Sequence, residues 1–387
     1  MTSPARSLGS LPSLGSVAAP PRRVVELDPR TDPRWDAFVR SREDATVFHL
    51  SAWAEVLERS YGHHPRYLAL EGPSGLDGVL PLMLTRGILK GRRLRSLPVV
   101  NAAGPLATND AALAQLLKAA CDATGAEAAK SLLVRSRRGG LEQLDPRLTA
   151  IPKHPVWLAE VPPPGEVDLK LWKKHSRNLY RSVNKALAAG LTFREAEGRE
   201  DLRAWYDLYL ATMRKRRTLP RSWRQLETAR RLLEPTGEFR LFVVEQGGRM
   251  LAGVVTHPFG HTVELLYNGS DPAALELRPN HLLNWGVLGW ASVEGYRYLD
   301  IGDAREGGQL ARFKAQFKAE PVPDHRYDYI PGAPMAAAAT AATAKPRLER
   351  VTRDLEDANA DGLAVKAWER APLAATRAAA ALVYRFV

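Results

Sequence analysis

One lysine in the last part of the chain is placed as an oxyanion-stabilising cation would be. A strand predicted to end near Asp303 leads into a loop rich in glycine and charge, and a short helix then carries Phe313, Lys314 and Phe317. Loops that leave the ends of strands often carry function. Phe313 and Phe317 are four residues apart and are expected to anchor the helix in the core, so Lys314 is turned to an adjacent face. A lone cation there would stabilise negative charge as it develops on a reacting oxygen.

Basic side chains also occupy one face of a helix predicted over residues 169–189. At ~100° per residue, apolar and basic positions separate onto opposite sides of this helix. The apolar positions are Leu169, Trp172, Leu179, Val183 and Leu187, and the basic ones are Lys170, Lys173, Lys174, Arg177, Arg181 and Lys185. No acidic residue interrupts the basic face, so ion pairs within the helix do not explain it. The pattern favours an anion-binding face over a merely solvated one.

Most of the positive charge of the chain lies in one segment. Residues 170–231 hold 17 basic and 6 acidic side chains, and the net charge of the whole chain is +12. Four of these cations, Arg214 to Arg217, end a predicted helix, where the helix dipole accounts for only one or two of them. Such a field favours an anionic partner, which is a phosphate, a nucleic acid or an acidic membrane surface.

Composition and motif content exclude several classes of protein. The 387 residues indicate two domains. The single cysteine, Cys121, excludes a disulfide framework and a cysteine-rich zinc module. The Rossmann and Walker motifs, the His-Glu-x-x-His zinc motif and the Gly-x-Ser-x-Gly nucleophile elbow do not occur in the sequence. No run of about 20 apolar residues is present, so no transmembrane segment is predicted.

The predicted elements place the candidate residues in two halves of similar order. The first half has helical patterns at 32–60 and 111–123 and short strands at 66–71, 78–84, 92–97, 131–135 and 156–161. The second half has helices at 169–189, 200–217 and 221–233, a meander at 239–245, 249–257 and 262–268, a helix at 280–294 and a strand at 296–301. Helices followed by antiparallel strands indicate an α+β fold.

Stretches rich in proline, glycine and alanine mark the domain boundaries. The sequence Val-Pro-Pro-Pro-Gly at 161–165 is a stiff break between the halves. We predict a disordered tail at 1–21, an N-terminal domain at 22–162, a C-terminal domain at 163–330, and an alanine-rich linker with a helical tail at 331–387.

Four stretches in the second half follow one another in a recognisable order. They are the basic helix from Lys173 to Lys185 followed by Gly190, the segment from Thr212 through Arg216 and Arg217 to Pro220, the segment from Pro279 to Asp300, and the motif Phe313-Lys314-Ala-Gln-Phe317. In this order and spacing they resemble the GNAT-related Fem-type family, the FemABX-like peptidyltransferases and their relatives. The resemblance runs over residues 52–329. Relatives usually have glycine where this chain has Lys318.

The resemblance implies two tandem GNAT-like domains of mixed, mostly antiparallel sheets flanked by helices, with a cleft between the domains. It also implies transfer of an acyl group to an amine. In the best-known members the donor is an aminoacyl-tRNA and the acceptor is a peptidoglycan precursor that carries a diphosphate. The residue matching Lys314 is taken to stabilise the reacting acyl group. The residues expected to face phosphates are Lys173, Arg177, Arg181, and Arg216 or Arg217.

The sequence therefore predicts a cell-wall acyltransferase that needs neither a covalent enzyme intermediate nor a metal or cofactor. Aminoacyl-tRNA or acyl-CoA would be its co-substrate. Asp303 is the first candidate to accept the proton of the attacking amine, and Glu264 is the second. Tyr267, Asn268 and Asn280 are candidates to orient the substrate. The expected location is the cytoplasm, with the basic face able to contact the anionic inner face of a membrane.

Two alternatives use the same residues differently. The first is an acyl-CoA-dependent N-acyltransferase acting on an exopolysaccharide or a small amine. The Arg/Gln-x-x-Gly-x-Gly/Ala pattern that cradles the CoA pyrophosphate is absent, and Pro279, at the equivalent place, lacks an amide hydrogen. The second is a non-catalytic nucleic-acid-binding protein, although no helix-turn-helix or RNA-binding signature occurs in the sequence.

Overall fold

The computed structural model describes residues 22–87, 91–216 and 218–333. Its helices are α1 (Pro33–Arg40), α2 (Ala52–Tyr61), α3 (Asp110–Ala126), α4 (Leu141–Leu144), α5 (Leu169–Trp172), α6 (Arg177–Ala188), α7 (Gly198–Lys215), α8 (Trp223–Leu233), α9 (Pro279–Val293) and α10 (Gln309–Ala315). Short 3₁₀ segments lie at Val47–His49 and Pro272–Leu277. The predicted tail at 1–21, and the predicted linker and helical tail from residue 334 onward, lie outside the described residues.

The strands of the first half are β1 (Arg23–Glu26), β2 (His64–Pro65), β3 (Leu68–Gly72), β4 (Gly75–Leu80), β5 (Met83–Gly87), β6 (Gly91–Arg95), β7 (Leu106–Ala107), β8 (Leu132–Ser136), β9 (Thr149–Ile151) and β10 (Val156–Glu160). Those of the second half are β11 (Thr192–Glu195), β12 (Arg240–Gln246), β13 (Arg249–Phe259), β14 (Thr262–Ser270), β15 (Tyr298–Asp303), β16 (Glu320–Val322) and β17 (His325–Tyr329). The predicted meander and the helices around it are confirmed with small shifts at their ends.

The strands form three sheets flanked by helices. Their orders are β1-β3-β4-β7, then β2-β5-β6-β8-β17-β9, and then β11-β12-β13-β14-β15-β10-β16. Most neighbours are antiparallel, and the parallel pairs are β6 with β8 and β14 with β15. The predicted α+β class with mixed, mostly antiparallel sheets is confirmed.

The two halves of the chain exchange strands. β10 belongs to the first half in sequence, yet it lies between β15 and β16 and is antiparallel to both. β17 ends the second half, yet it lies between β8 and β9 and is antiparallel to both. The predicted boundary at residue 162 would leave β10 with the first half and β17 with the second. Each of these strands instead completes the sheet of the other half.

Buried side chains join the halves as well. One apolar cluster packs α1 and α2 against α7 and α8, with Trp35 and Trp53 from the first half and Trp205 and Tyr209 from the second. A second cluster packs α6 and α9 on the seven-stranded sheet, and a third packs α3 on the N-terminal sheets. Because the first cluster draws on both halves, burial of its apolar surface holds them together.

The parallel strand pair of each half is followed by a different structure. In the first half the chain beyond β6 stays against β8: Ser96 N donates to Leu133 O at 2.8 Å, and Ala103 N donates to Arg135 O at 3.2 Å. In the second half β14 and β15 stop pairing after Glu264, and a cavity follows. The predicted similarity of the halves is thus confirmed, while the cavity between diverging parallel strands belongs to the second.

The helix predicted over 169–189 is two helices, α5 and α6. Ser176 lies between them in an extended conformation, and its hydroxyl accepts a hydrogen bond from Leu179 N at 3.2 Å. A serine in this arrangement caps the start of a new helix. Trp172 is buried as predicted, but Leu187 is 50% exposed and does not belong to the apolar stripe.

Candidate functional site

A cavity opens where β14 and β15 separate. The strands pair from Thr262 to Glu264 on one side and from Tyr298 to Asp300 on the other, and the pairing ends there. A shift of register between β13 and β14 next to Val255 bends β14 in the same region. The cavity volume is about 310 Å³. Its lining comprises Asn101, Arg216, Val254, Leu265, Leu266, Asn268, Asn280, Asn284, Ile301, Gly302, Asp303, Leu310, Phe313 and Lys314.

Lys314 forms part of the cavity wall with a buried ammonium group. The residue is 3% exposed, and its Nζ donates a hydrogen bond to the main-chain O of Asp303 at 2.7 Å. Burial lowers the pKa of Lys314 to about 8 against the attraction of the Asp303 and Asp300 carboxylates, and the charge of Arg216 lowers it further. The ammonium is therefore charged at neutral pH and largely shielded from water. A cation in this state stabilises negative charge on a nearby oxygen more strongly than a solvated one.

Neighbouring residues shape the space around Lys314. Gly302 has a φ of +83°, which favours glycine, and a Cβ there would lie 3.7 Å from Lys314 Nζ. Phe313 is half-buried and lines the cavity, and its ring meets the ring of His281 edge-on with centroids 5.0 Å apart. The predicted core position is confirmed for Phe317, which is fully buried, and Phe313 packs half-buried against the same apolar cluster while it also lines the cavity. The reason is that α10 runs along the edge of the cavity.

The two predicted proton acceptors lie at different depths. Asp303 is exposed and lines the cavity. Glu264 is 6% exposed and lies behind the wall, next to the lining residue Leu265, and its Oε2 has no hydrogen-bond partner among the described residues. Burial raises the pKa of Glu264 to about 7, with Arg137 acting to lower it and Asp300 to raise it. A carboxylate with this pKa is suited to accept a proton near neutral pH.

Three of the predicted substrate-binding residues line the cavity. They are Arg216, Asn268 and Asn280. Asn280 Oδ1 is buried without a hydrogen-bond partner among the described residues, so an acceptor is available for an N–H or O–H group of a ligand. Tyr267 does not reach the cavity: it lies in the core shared by the halves, where its hydroxyl accepts a hydrogen bond from Gln225 Nε2 at 3.4 Å. Arg217 lies outside the described residues, and the binding roles of all these residues stay predictions.

Two further asparagines, which the sequence did not identify as site residues, also line the cavity. Asn284 lies one helical turn after Asn280, and its Nδ2 donates to the main-chain O of Asn280 at 2.8 Å; the spacing of four residues on a helix is a signal that could have found it. Asn101 comes from the first half, from a segment in which Leu97 and Val99 have positive φ values of 51° and 61°. No feature of the sequence links Asn101 to the second half.

The basic face of α5, α6 and the turn between them, called the basic ridge below, is exposed and lies outside the cavity. It comprises Lys170, Lys173, Lys174, Arg177, Arg181 and Lys185. The segment before α6 is fixed to the end of α10, because Trp172 Nε1 donates to Gln316 O at 3.0 Å and His175 Nε2 lies 3.0 Å from Ala315 O. Among the described residues, carboxylates within ion-pair distance of the ridge are limited to Glu276, 3.9 Å from the last lysine. The ridge therefore begins beside the segment that carries Lys314.

Comparison with protein families identifies the domain around this cavity. The acetyltransferase (GNAT) domain family matches residues 173–319, a range that includes Lys314, β14, β15 and most of the basic ridge. The chain therefore contains a GNAT-type acyltransferase domain. The alternative of a non-catalytic nucleic-acid-binding protein is therefore wrong.

The fold of the chain is similar to that of several solved structures. FemX matches with a TM-score of 0.60 and 16% identity, over 80% of this chain and 97% of FemX. The C-terminal domain of a protein assigned as a lysylphosphatidylglycerol synthetase from Agrobacterium fabrum matches with a TM-score of 0.54 and 15% identity, over 86% of this chain and 98% of that one. L-PGS from Bacillus licheniformis matches with a TM-score of 0.52 and 12% identity, over 86% and 98%. No curated protein sequence matches the chain.

These similarities confirm the Fem-like GNAT fold that the sequence motifs predict. The left-handed conformation of Lys318, with a φ of 58°, explains why relatives usually have glycine there. Its Nζ lies 4.3 Å from the centre of the Trp172 ring, a cation–π contact. Within the described ranges, no helix has both the length and the apolar character that crossing a bilayer requires. In the same ranges, no three metal-ligating side chains are grouped so that they could hold an ion.

Proposed function

We propose that this acyltransferase moves an aminoacyl or other acyl group from an activated ester to an amine of a phosphate-bearing cell-envelope precursor of the peptidoglycan type. The observation that carries the proposal is the buried Lys314 ammonium on the wall of the cavity, on a helix whose end is hydrogen-bonded to the segment in which the basic ridge begins. The similarity in fold to FemX and to a structure named for lysylphosphatidylglycerol synthesis supports an acyl group with an amine and an acceptor with a phosphate.

The proposed reaction needs no covalent intermediate on the enzyme. The amine nitrogen attacks the carbonyl carbon of the ester, a C–N bond forms, and the C–O bond to the donor breaks. One proton leaves the amine and one is returned to the leaving oxygen, so the protons balance. Among the described residues that line the cavity there is no serine, threonine or cysteine to act as a nucleophile. Positioning of the two substrates can then contribute up to ~7–11 kcal/mol to the lowering of the barrier.

Lys314 stabilises the charge on the carbonyl oxygen as the amine attacks. A preorganised donor of this kind typically contributes ~10²–10³-fold in kcat. For the proton we favour Glu264, because its pKa is matched to neutral pH and its Oε2 has no partner among the described residues. Asp303 lines the cavity and is the alternative acceptor, or the group that orients the amine.

The basic ridge is proposed to hold the phosphates of the acceptor or of the donor. Its cations have few acidic neighbours among the described residues, so an anionic ligand would relieve their mutual repulsion. Arg216 lines the cavity and provides a cation closer to the reacting atoms. The same ridge would contact anionic lipid if the acceptor is lipid-linked.

The donor is proposed to be an aminoacyl-tRNA, with an acyl-CoA as the second candidate. The acetyltransferase description of the matching family favours acyl-CoA. Against it, α9 begins with Pro279, and the preceding Arg278 is left-handed with a φ of 63°. The start of this helix therefore has fewer main-chain amides to offer a pyrophosphate.

The test is to incubate the purified protein with aminoacyl-tRNA or with acyl-CoA, together with a lipid-linked peptide, a UDP-linked peptide or a small amine, and to measure product masses. Transfer from aminoacyl-tRNA to a phosphate-bearing acceptor supports the proposal, and transfer only from acyl-CoA to a small amine replaces it by the second candidate. Lys314→Met should lower kcat ~10²–10³-fold. Lys118→Met, which removes an exposed lysine of α3, is the matched control and should not change kcat. Unchanged turnover in Lys314→Met would remove that lysine from the mechanism.

Simultaneous replacement of three ridge cations by glutamine tests the role of the ridge. The variant is Lys173→Gln, Arg177→Gln and Arg181→Gln. We expect a higher KM for the phosphate-bearing substrate, a weaker dependence of KM on salt, and an unchanged kcat, because these side chains lie outside the cavity. An unchanged KM at low salt contradicts phosphate binding by the ridge.

A further inference from the structure

Arg137, just after β8 in the first half, reaches the second half at the point where β14 and β15 separate. Its guanidinium is paired with Asp300, and its Nη2 lies 3.8 Å from Glu264 Oε1. Glu264 and Asp300 are directly opposite each other in the register of the parallel pair. Their side chains are 7% and 3% exposed, respectively. Two buried carboxylates at the last paired position of β14 and β15 therefore share one cation and have little access to water.

The two carboxylates differ in their hydrogen-bond and ion-pair partners. Asp300 Oδ2 accepts a hydrogen bond from Arg137, and Asp300 Oδ1 accepts one from Gly302 N at 2.7 Å. Glu264 has the longer contact with Arg137, a polar neighbour in Asn101, and an Oε2 without a partner among the described residues. Like charges this close disfavour ionisation of both groups, and a nearby cation opposes that effect. The ionised form of Glu264 therefore depends on Arg137.

We propose that Arg137 is a positioning residue for acyl transfer: by bridging Asp300 and Glu264 it keeps the Glu264 carboxylate ionised beside the cavity, ready to take the proton of the amine. This inference rests on the proposed function. It assigns to the first half a part in the chemistry of the second, because Lys314 and Glu264 belong to one half and the Arg137 cation to the other. Asn101, which lines the cavity, comes from the first half in the same way.

The other titratable groups that face Glu264 are neutral or paired. Among the described residues they are His257, directly opposite on β13, and Asp324, which precedes β17 and is itself paired with Lys153. Burial lowers the pKa of the histidine to about 4, so this ring is neutral in the range where the glutamate titrates. Arg137 and Asp300 are thus the charges whose removal should act most strongly on Glu264, and in opposite directions.

The experiment combines the pH profile of kcat/KM with an infrared titration of the Glu264 carboxyl, which needs no turnover and is assigned by its loss in Glu264→Gln. In Arg137→Gln we expect both acid-side midpoints to rise by about 1 pH unit or more, and in Asp300→Asn we expect both to fall. Arg137→Lys keeps the charge, so both of its midpoints should lie much closer to the wild-type values than those of Arg137→Gln. Arg138→Gln removes the adjacent arginine, which pairs with Asp110 at the surface, and should move neither midpoint.

The outcomes separate this inference from the proposed function. If the infrared midpoint of Glu264 is unchanged in folded Arg137→Gln, or in folded Asp300→Asn, the inference is wrong even when the enzyme is active. If the infrared midpoint moves but the acid limb of kcat/KM does not, Glu264 is not the proton acceptor and the inference also fails. If the wild type transfers no acyl group while the infrared midpoint moves, the proposed function fails and the dependence of Glu264 on Arg137 stands.

Discussion

Replacing Lys314 by methionine should abolish most activity and at the same time stabilise the fold. The ordinary pKa of a lysine is 10.5, and burial lowers that of Lys314 to about 8. At pH 7 this difference corresponds to a penalty of about 3 kcal/mol for holding the charged ammonium in the folded protein. Methionine has a similar length and no charge, so the substitution removes the penalty.

The same substitution removes one favourable contact, the hydrogen bond from Lys314 Nζ to the main-chain O of Asp303. Loss of a hydrogen bond of this kind costs about 1 kcal/mol. The net increase in the free energy of unfolding should therefore be about 2 kcal/mol at pH 7. The lysine that we propose for catalysis is thus held at the expense of stability.

The pH dependence provides the sharper test. Below pH 8 the lysine is protonated in both the folded and the unfolded chain, and the full penalty applies. Between pH 8 and 10.5 the unfolded chain keeps a proton that the folded protein has released, so the stability of the wild type rises relative to the variant. At pH 9.5 the penalty has fallen to about 1.5 kcal/mol, and the net advantage of the variant should be about 0.5 kcal/mol.

The measurement is urea unfolding of wild type and Lys314→Met at pH 7 and pH 9.5, followed by tryptophan fluorescence and by circular dichroism. Lys118→Met serves as the control, because its lysine is exposed on α3 and its removal should change stability little at either pH. A variant that is less stable than the wild type at pH 7, or an advantage of equal size at both pH values, would refute the reasoning. In the activity assay, the wild-type rate should fall as the pH rises through about 8, since the ammonium loses its charge there.

Three other substitutions or treatments have expected outcomes that follow from the packing. Burial raises the pKa of Cys121 to about 12, so the native protein should react with a thiol reagent at pH 8 much more slowly than the urea-unfolded chain, and equal rates would contradict its burial. In Gly269→Ala the new Cβ would lie 2.6 Å from the main-chain N of Tyr209, so we expect a loss of about 1–3 kcal/mol in urea unfolding, whereas a neutral result would mean that α7 can shift. Trp172→Phe removes the hydrogen bond from Trp172 Nε1 to Gln316 O, which fixes the segment after Lys314. We expect the free energy of unfolding to fall by about 1–3 kcal/mol and the transfer rate to fall with it. A change in stability alone would limit Trp172 to a structural role.

The sequence was sufficient for the meander and the last short helix of the second half, and for the lysine that lines the cavity. Alternating apolar residues and glycine-rich turns identify the meander, and the two phenylalanines four residues apart identify α10. Tyr267 and Asn268 show where a simple rule would have helped. Adjacent residues on a strand face opposite sides of the sheet, and the structure places the asparagine at the cavity and the tyrosine in the core.

Other features of the site could not be predicted because they depend on contacts between remote parts of the chain. Asn101 reaches the cavity from the first half, and Arg137 reaches Asp300 across 163 positions of sequence. Hydrophobic periodicity reports which face of an element is buried, but not which distant element covers it. For the same reason the sequence indicated the Pro-rich break near residue 162 and not the strands that cross it.

The exchange of β10 and β17 sets the order in which the chain can fold as the ribosome makes it. β17 lies between β8 and β9, so the six-stranded sheet is incomplete until residues 325–329 have left the exit tunnel. Until then β8 lacks this neighbour, and such an open edge is a place where chains aggregate. Synthesis of the second half must therefore precede completion of the six-stranded sheet of the first.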